Sequence, residues 1–492
     1  MTQPSHLLDL AGSNLRRCSH IRDKLVEARL YAPGPTENPP APPLLHPVTN
    51  SWRIAPLPFS LSQEQLTWFS ALGSPLLSFY RALNRLYMDS VRGTQPPWIA
   101  AYLDQGKPEA LVTYSRMKRF RDHLPAVIRP DVIPTSDGMV ITELDSVPGG
   151  IGLTACLSHL YAETDGQHSA LVAGPDGMVQ GFAAMLRSQL GQRTGCVAIV
   201  VSEEAKDYRP EMRWLAEQLR NRNLACYCVE PREVGFTEDG LFLSTGTEEK
   251  PIGLIYRFYE LFDLMNIPKA ELVQYAVKKE RVAVTPPYKP ALEEKLAFAL
   301  LHHPILNSYW QQELGREVFL QLTAVMPRTW ILDPAPIPPS ATIPGLSLGG
   351  RAVANWTELA AATQKERHFV IKPSGFSELA WGSRGVSVGH DMPQTEWAAA
   401  LDSALSSYPQ TPYVLQEFHK GRLVDVSYFD AVTGDMKQMA GRVRLSPYYF
   451  VQDEKAELGG VLATICPADK KVIHGMKDAV MAPCAVAQGN SE

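Results

Sequence analysis

The sequence lacks most of the features that assign a function at sight. Its seven cysteines, at 18, 156, 196, 226, 228, 466 and 484, form no CxxC and no paired framework, which points to reduced, mostly structural thiols rather than a disulfide scaffold. No stretch approaches the roughly eighteen unbroken apolar residues that a membrane-spanning helix needs. The opening MTQPSHLLDLAGSNLRRCSH breaks its apolar run at Asp9 and carries no small-residue cleavage site, so it does not read as a secretory signal. A cytoplasmic protein is the expectation. The formal net charge of −5 leaves no basic excess for binding nucleic acid. Neither GxxxxGK[ST] nor GxGxxG occurs, which removes the P-loop and the Rossmann fingerprint. There is no internal repeat.

What is present is an ordinary globular composition, 45% hydrophobic and 20% charged, in a chain of 492 residues, long enough for two or three domains. Residues 32–59 are proline-rich and read as an arm or linker. Residues 62–91 have apolar positions at helical spacing, with an interruption expected near Gly73–Pro75. GCVAIVV, YRPEMRWLAEQLRNRN and LACYCVE, within 195–230, read as strand, helix and strand, a βαβ unit that implies a parallel sheet. GLIYRFYELFDL reads as a strand running into a helix, and 291–301 as helical. Residues 333–345, again proline-rich, read as a loop. HFVIKP and YVLQEF are strands, with a helix over MPQTEWAAALDSALSSY between them, and VDVSYFD and MKQMAGRVRLSPYYFV continue as an antiparallel sheet. The fold class is α/β or α+β, in three stretches: 1–110, 111–290 and 291–492.

The stretch RPDVIPTSDGMVITELDSVPGG, from Arg129 to Gly150, carries the first candidate chemistry. A Ser-Asp-Gly turn separates two apolar runs, which is a hairpin signature. Arg129 and Asp131 are two apart, as are Glu143 and Asp145, and alternate residues of a strand share a face. Paired across the turn, all four could meet on one surface. Such a face is either solvated or serves a cation and an anion.

Lys372 ends the strand HFVIKP, directly before a loop with Ser374, Gly375, Ser377, Gly382, Ser383, Arg384, Gly385 and Gly389. Glycines let backbone N–H groups approach an anion, and the hydroxyls and Arg384 add donors. A solvated flexible hairpin is the competing reading. YVLQEF follows, beyond one helix.

This order of a strand-end lysine, a Gly-rich loop, a helix and an apolar strand ending in Gln-Glu is similar to the ATP-grasp superfamily. With the R-x-D and E-x-D pairs placed earlier in the chain, it resembles the circularly permuted ATP-grasp ligases typified by glutathionylspermidine synthase. The resemblance covers about 125–485, as ordered motifs. It implies an ATP-grasp region over 291–492, a metal-binding hairpin and βαβ substrate subdomain over 111–290, and a helical N-terminal region. It implies ATP and Mg2+ as cofactors, with Asp131, Glu143 and Asp145 on the metal. Asp145 is a departure, because the family has Asn there. Lys295, Lys372, Ser374, Gly375 and Gly382 would face the phosphates, and Gln416, Glu417 and Phe418 the adenine. Arg129 and Arg442 would be catalytic, with Arg444 a close competitor for the second place. The implied reaction joins a small-molecule carboxylate to an amine through an acyl phosphate, forming ADP, with no nucleic-acid or membrane partner. A nucleotide-binding protein without ligase activity and a small-molecule kinase remain as alternatives.

Other motifs have blander readings. Gly345-Leu-Ser-Leu-Gly349 fits GxSxG by letter but lacks the strand–turn–helix setting of a nucleophile elbow. His302-His303 has no partner histidine at metal spacing. The aromatics at Trp98–Tyr102 and Phe258–Phe262 read as core. Cys226 and Cys228 should turn both thiols to one face of a strand.

Overall fold

A computed structural model describes residues 4–32, 52–165, 171–245, 248–470, 472–473 and 478–486. Most of the proline-rich stretch, 33–51, lies outside the described residues.

The sequence folds into a mixed α/β structure built on three principal sheets. The largest, mostly antiparallel, runs in the order Leu423–Phe429, Arg53–Ile54, Val480–Val486, Lys455–Pro467, Met436–Gln452, Val127–Pro134, Met139–Asp145. Leu423–Phe429 also pairs with Met436–Gln452, so part of the sheet returns on itself. Its strands come from the first, second and third of the sequence stretches alike. The second sheet contains the expected βαβ unit. Cys196–Val201 pairs in parallel with Cys226–Val229 on one side and Glu248–Phe258 on the other, with helix Arg209–Arg220 as the crossover. The third sheet is antiparallel, ordered Thr329–Ile331, Tyr413–Glu417, Phe369–Pro373, Ser387–Val388.

The helix expected to break near Gly73–Pro75 does not. Gln63–Arg92 is one helix of 30 residues. Ser62 and Gln65 form a reciprocal capping box at its start, and Gly93, at φ +80°, closes its end. Gly73 is needed inside it, since a Cβ there would meet the Ala456 carbonyl at 2.3 Å. Tertiary packing thus overrides the local helix-breaking signal. The segment after GLIYRF is a 3-10 turn, Leu261–Asn266, rather than a helix. Residues 291–301 divide into a turn, Pro290–Leu292, and a helix, Leu296–Leu301, with Lys295 at the junction. Residues 333–345 contain no regular element. Ser347 lies in a two-residue strand paired with Arg351–Ala352, not in a nucleophile elbow. Among the described residues, no helix is long and apolar enough to cross a membrane.

Candidate functional site

The Arg129–Gly150 stretch is a hairpin, in which Arg129 faces Asp145 and Asp131 faces Glu143. A β-bulge between Asp131 and Val132 re-aims the strand at that point. The next strand of the sheet, Met436–Gln452, brings Arg444 and Ser446 against the same carboxylates.

Each acid meets a base. Arg129 bridges Asp131 at 3.2 Å and Asp145 at 2.9 Å, and Arg444 reaches Asp131 from the other side at 3.0 Å. Ser446 Oγ donates to Asp131 at 3.2 Å. Lys295 lies 2.9 Å from Glu143. Lys372 Nζ donates to the Thr142 carbonyl at 3.1 Å and to Gln416 Oε1 at 2.8 Å, which ties the third sheet to the hairpin. Residues more than 300 positions apart thus share one cluster.

Burial opposes charge on these groups, and their partners mostly reverse it. Burial raises Asp131, but Arg129 and Arg444 outweigh it and hold the carboxyl below its usual range. Glu143 is likewise lowered, with Lys295 and Lys372 overcoming burial. Arg129 is held well above its ordinary value by Asp131 and Asp145 in spite of burial. Lys295 is raised, because Glu143 outweighs desolvation. Two groups go the other way. Asp145 is pushed up by burial and by Glu143 despite Arg129. Lys372 falls to about 8, chiefly by burial.

The cluster opens into a cavity of ≈ 440 Å³. Arg129, Asp131, Glu143, Asp145, Lys295, Gly375 and Gly382 all line it. The other expected residues stand behind or away from it. Ser374 is fully buried, its hydroxyl donating to Glu294 at 2.7 Å, and Gly375 N–H donates to the same carboxylate at 3.3 Å. Glu294 in turn pairs with Lys107, with both side chains fully buried. The start of the Gly-rich loop is therefore locked to the residue preceding Lys295. Gln416 is buried between Lys372 and Thr329. The N–H groups of Glu417 and Phe418 donate to the Arg328 and His368 carbonyls, so they are not free for a nucleobase edge.

Arg442 lies outside the cavity. Its guanidinium donates to the Gly421 and Ala468 carbonyls, and Arg444, two residues on, takes the cavity position. Sequence reasoning also missed Glu211 and Glu293. Glu211, near the start of the crossover helix, accepts from Gly150 N at 2.7 Å and Leu153 N at 2.8 Å, capping the helix Ile151–Asp165. Burial lifts it to about 7 despite these bonds. Glu293, paired with the buried Arg257, is also lifted to about 7 by burial. The one available signal was position: Glu211 falls in the first turn of an amphipathic helix that follows a strand.

The three hairpin carboxylates are hard oxygen donors of the kind Mg2+ takes. Here they are engaged by cations, and among the described residues no three Asp, Glu, His or Cys side chains gather closely enough to hold a metal.

The chain is similar in fold to a glutathione synthetase-like effector. That protein, from Globodera pallida, superposes with a TM-score of 0.53 at 12% identity, over 88% of this chain and 90% of its own. A candidate gamma-glutamylcysteine synthetase from Methylobacillus flagellatus KT aligns over 83% of this chain and 85% of its own, at 11% identity and a TM-score of 0.39. No family model matches the chain, and no curated protein matches it in sequence. At these identities the likeness concerns the fold alone.

Proposed function

We propose that the protein is an ATP-dependent ligase that joins a small-molecule carboxylate to an amine. A substrate carboxylate attacks the γ-phosphorus of ATP, the bond to the bridging oxygen breaks, and ADP leaves. The amine then attacks the acyl phosphate and phosphate leaves with the oxygen. Little covalent help from the protein is needed, because such transfers are governed by positioning and charge neutralisation. The observation that carries this reading is the convergence of Arg129, Arg444 and Lys295 on one acid-lined cavity beside a Gly-rich loop, with Lys372 tied to the hairpin behind it.

In this reading Lys295 and Lys372 neutralise the polyphosphate and Arg129 meets charge developing at the transferred phosphoryl group. Arg444, rather than Arg442, holds the substrate carboxylate or departing phosphate. The loop from Ser374 to Gly389 keeps water from the acyl phosphate. Asp131, Glu143 and Asp145 would hold Mg2+, which when bound supplies neutralisation of phosphate oxygens. Holding it requires their present ion pairs to open and the three carboxylates, which do not gather closely enough for a metal as they stand, to draw together.

ADP release measured against pools of carboxylates and amines, with products read by mass spectrometry, tests the proposal. Release that needs both substrates is expected. Tight ATP binding without turnover would leave a nucleotide-binding protein, and a stable phosphorylated product a kinase. Glu143→Gln is expected to abolish turnover while the variant stays folded; normal turnover would remove Glu143 from the site.

A further inference from the structure

The carboxylate of Glu294 joins the two segments that carry Lys295 and Lys372. It directly precedes Lys295 in the chain. It accepts from Ser374 Oγ at 2.7 Å and from Gly375 N at 3.3 Å, two and three residues after Lys372. Phe376 N in turn donates to Ser374 Oγ at 3.2 Å. The backbones are also pressed together there, since a Cβ on Gly375 would lie 1.8 Å from the Glu293 carbonyl oxygen. The first three residues of the Gly-rich loop are thus held by Glu294, directly or through Ser374.

The cation that neutralises Glu294 comes from far away in the sequence. Lys107 lies in the turn between the helices Pro97–Asp104 and Glu109–Ser115. Its ammonium pairs with Glu294 where neither side chain has exposed surface. The same ammonium lies 5.8 Å from the centre of the Phe376 ring, so it meets the loop as well. The turn is itself anchored. Lys107 N donates to the Asp104 carbonyl at 3.0 Å, and Gln105 Nε2 donates to the Pro409 carbonyl at 2.7 Å, just before the strand Tyr413–Glu417.

Stability alone does not call for this pair. Well-packed apolar side chains in place of a buried ion pair stabilise as well or better, whereas removing one partner strands a charge. What the pair adds is fixed geometry and a cancelled charge at the root of the loop. Gly375 and Gly382 of that loop line the charged cavity together with Lys295.

We propose that Lys107 and Glu294 are positioning residues that set the Gly-rich loop over a bound polyphosphate. Neither touches the nucleotide. Glu294 holds the loop root beside Lys295, and Lys107 cancels a buried negative charge that would otherwise repel phosphate. Residues 97–107, which carry no nucleotide-binding motif, thereby take part in nucleotide recognition. The identity of the ligand rests on the ligase reading; the tie between Glu294 and the loop does not.

Two variants of the full chain, checked for folding by circular dichroism, test this. Ser374→Ala removes one bond to Glu294 and leaves the ion pair. Lys107→Met/Glu294→Gln removes both charges together, and the amide offers one acceptor oxygen where the carboxylate offers two. Trypsin cleavage after Arg384, an exposed residue of the loop, reads loop opening without nucleotide. It should rise about 2- to 10-fold in each variant, the effect of one lost hydrogen bond, with cleavage after the exposed Lys279 unchanged. By calorimetry, ATP should bind the double variant about tenfold more weakly, and AMP, which lacks the outer phosphates, less than twofold. A pair that serves stability alone would lower the denaturation midpoint but leave loop cleavage and the ATP-to-AMP ratio as in the wild type. Either unchanged value in the folded double variant, or an equal loss of ATP and AMP, overturns the proposal. If the double variant does not fold, unchanged cleavage after Arg384 in Ser374→Ala overturns it. Should the wild type bind neither nucleotide, the ligase reading falls with the polyphosphate, and the cleavage rates alone decide whether the loop tie stands.

Discussion

Replacing Lys372 by methionine separates two roles that its position allows. The ammonium bonds Thr142 O and Gln416 Oε1, a structural tie, and it also feels the charges of Glu143, Lys295 and Asp131. Burial lowers its pKa from 10.5 to about 8. An anion bound nearby favours the charged form, so binding raises that pKa and takes up a proton. Anion affinity is therefore fully present below about pH 8 and lost as pH rises through it. At pH 7 about 0.9 of the side chain is charged and at pH 9 about 0.1, so ATP affinity should fall by up to about tenfold over that range. At pH 8 roughly half a proton should be taken up per nucleotide. A charged hydrogen bond contributes about 1.5–3 kcal/mol, so Lys372→Met should weaken ATP by about 10- to 100-fold at pH 7 and converge with the wild type at high pH. Calorimetry in two buffers of different ionisation enthalpy measures both quantities. If wild-type affinity is flat from pH 7 to 9, or folded Lys372→Met still takes up the proton, the residue is a structural tie and no phosphate ligand.

Three further outcomes are expected. Lys107→Met leaves Glu294 buried without its cation and should cost about 3–5 kcal/mol by chemical denaturation, with part recovered in the double variant Lys107→Met/Glu294→Gln. Glu211 titrates near 7 when folded and near 4.5 when unfolded, so the unfolded chain binds fewer protons between those values and stability falls as pH rises through them; Glu211→Gln should remove roughly 3 kcal/mol of that fall. Under the ligase reading, Arg444→Lys should lower kcat/KM by about 10²-fold, and Arg442→Lys, which alters a guanidinium outside the cavity, should change it little.

The two arginines show where sequence reading stops. They are two apart on one strand, so alternation gives them the same face and cannot choose between them. What distinguishes them is position along the partner strands. Leu445 pairs antiparallel with Val132, which sets Ser446 opposite Asp131 and Arg444 diagonal to it, within 3.0 Å of its carboxylate. Arg442 pairs with Leu423 and Cys466, one step beyond the hairpin, where loop carbonyls claim it. The hairpin itself was legible from its local turn, but the bulge between Asp131 and Val132, which sets Asp131 opposite Glu143, was not. Nor were the pairing of Lys107 with Glu294 and the meeting of Trp98 with His303, because nothing short-range in the chain records them.

The same distinction bears on the site's charge. A face with Arg129, Asp131, Glu143 and Asp145 was legible as unfinished: three acids and one base need further cations. The sequence offered a metal ion, and the fold supplies Arg444 and Lys295. These are not equivalent solutions. A side-chain cation on a flexible stem can leave its carboxylate when a stronger one arrives, and the ammonium released is then available to an anion. Glu143 and Lys295 are the pair best placed for that exchange, since both line the cavity and the Glu143 side chain is 32% exposed, against 8% for Asp131. If metal and nucleotide enter together, opening this pair contributes to both, the acid going to the metal and the base to the phosphate. Removing either partner should then weaken metal and nucleotide binding together, whereas two independent sites would lose them separately.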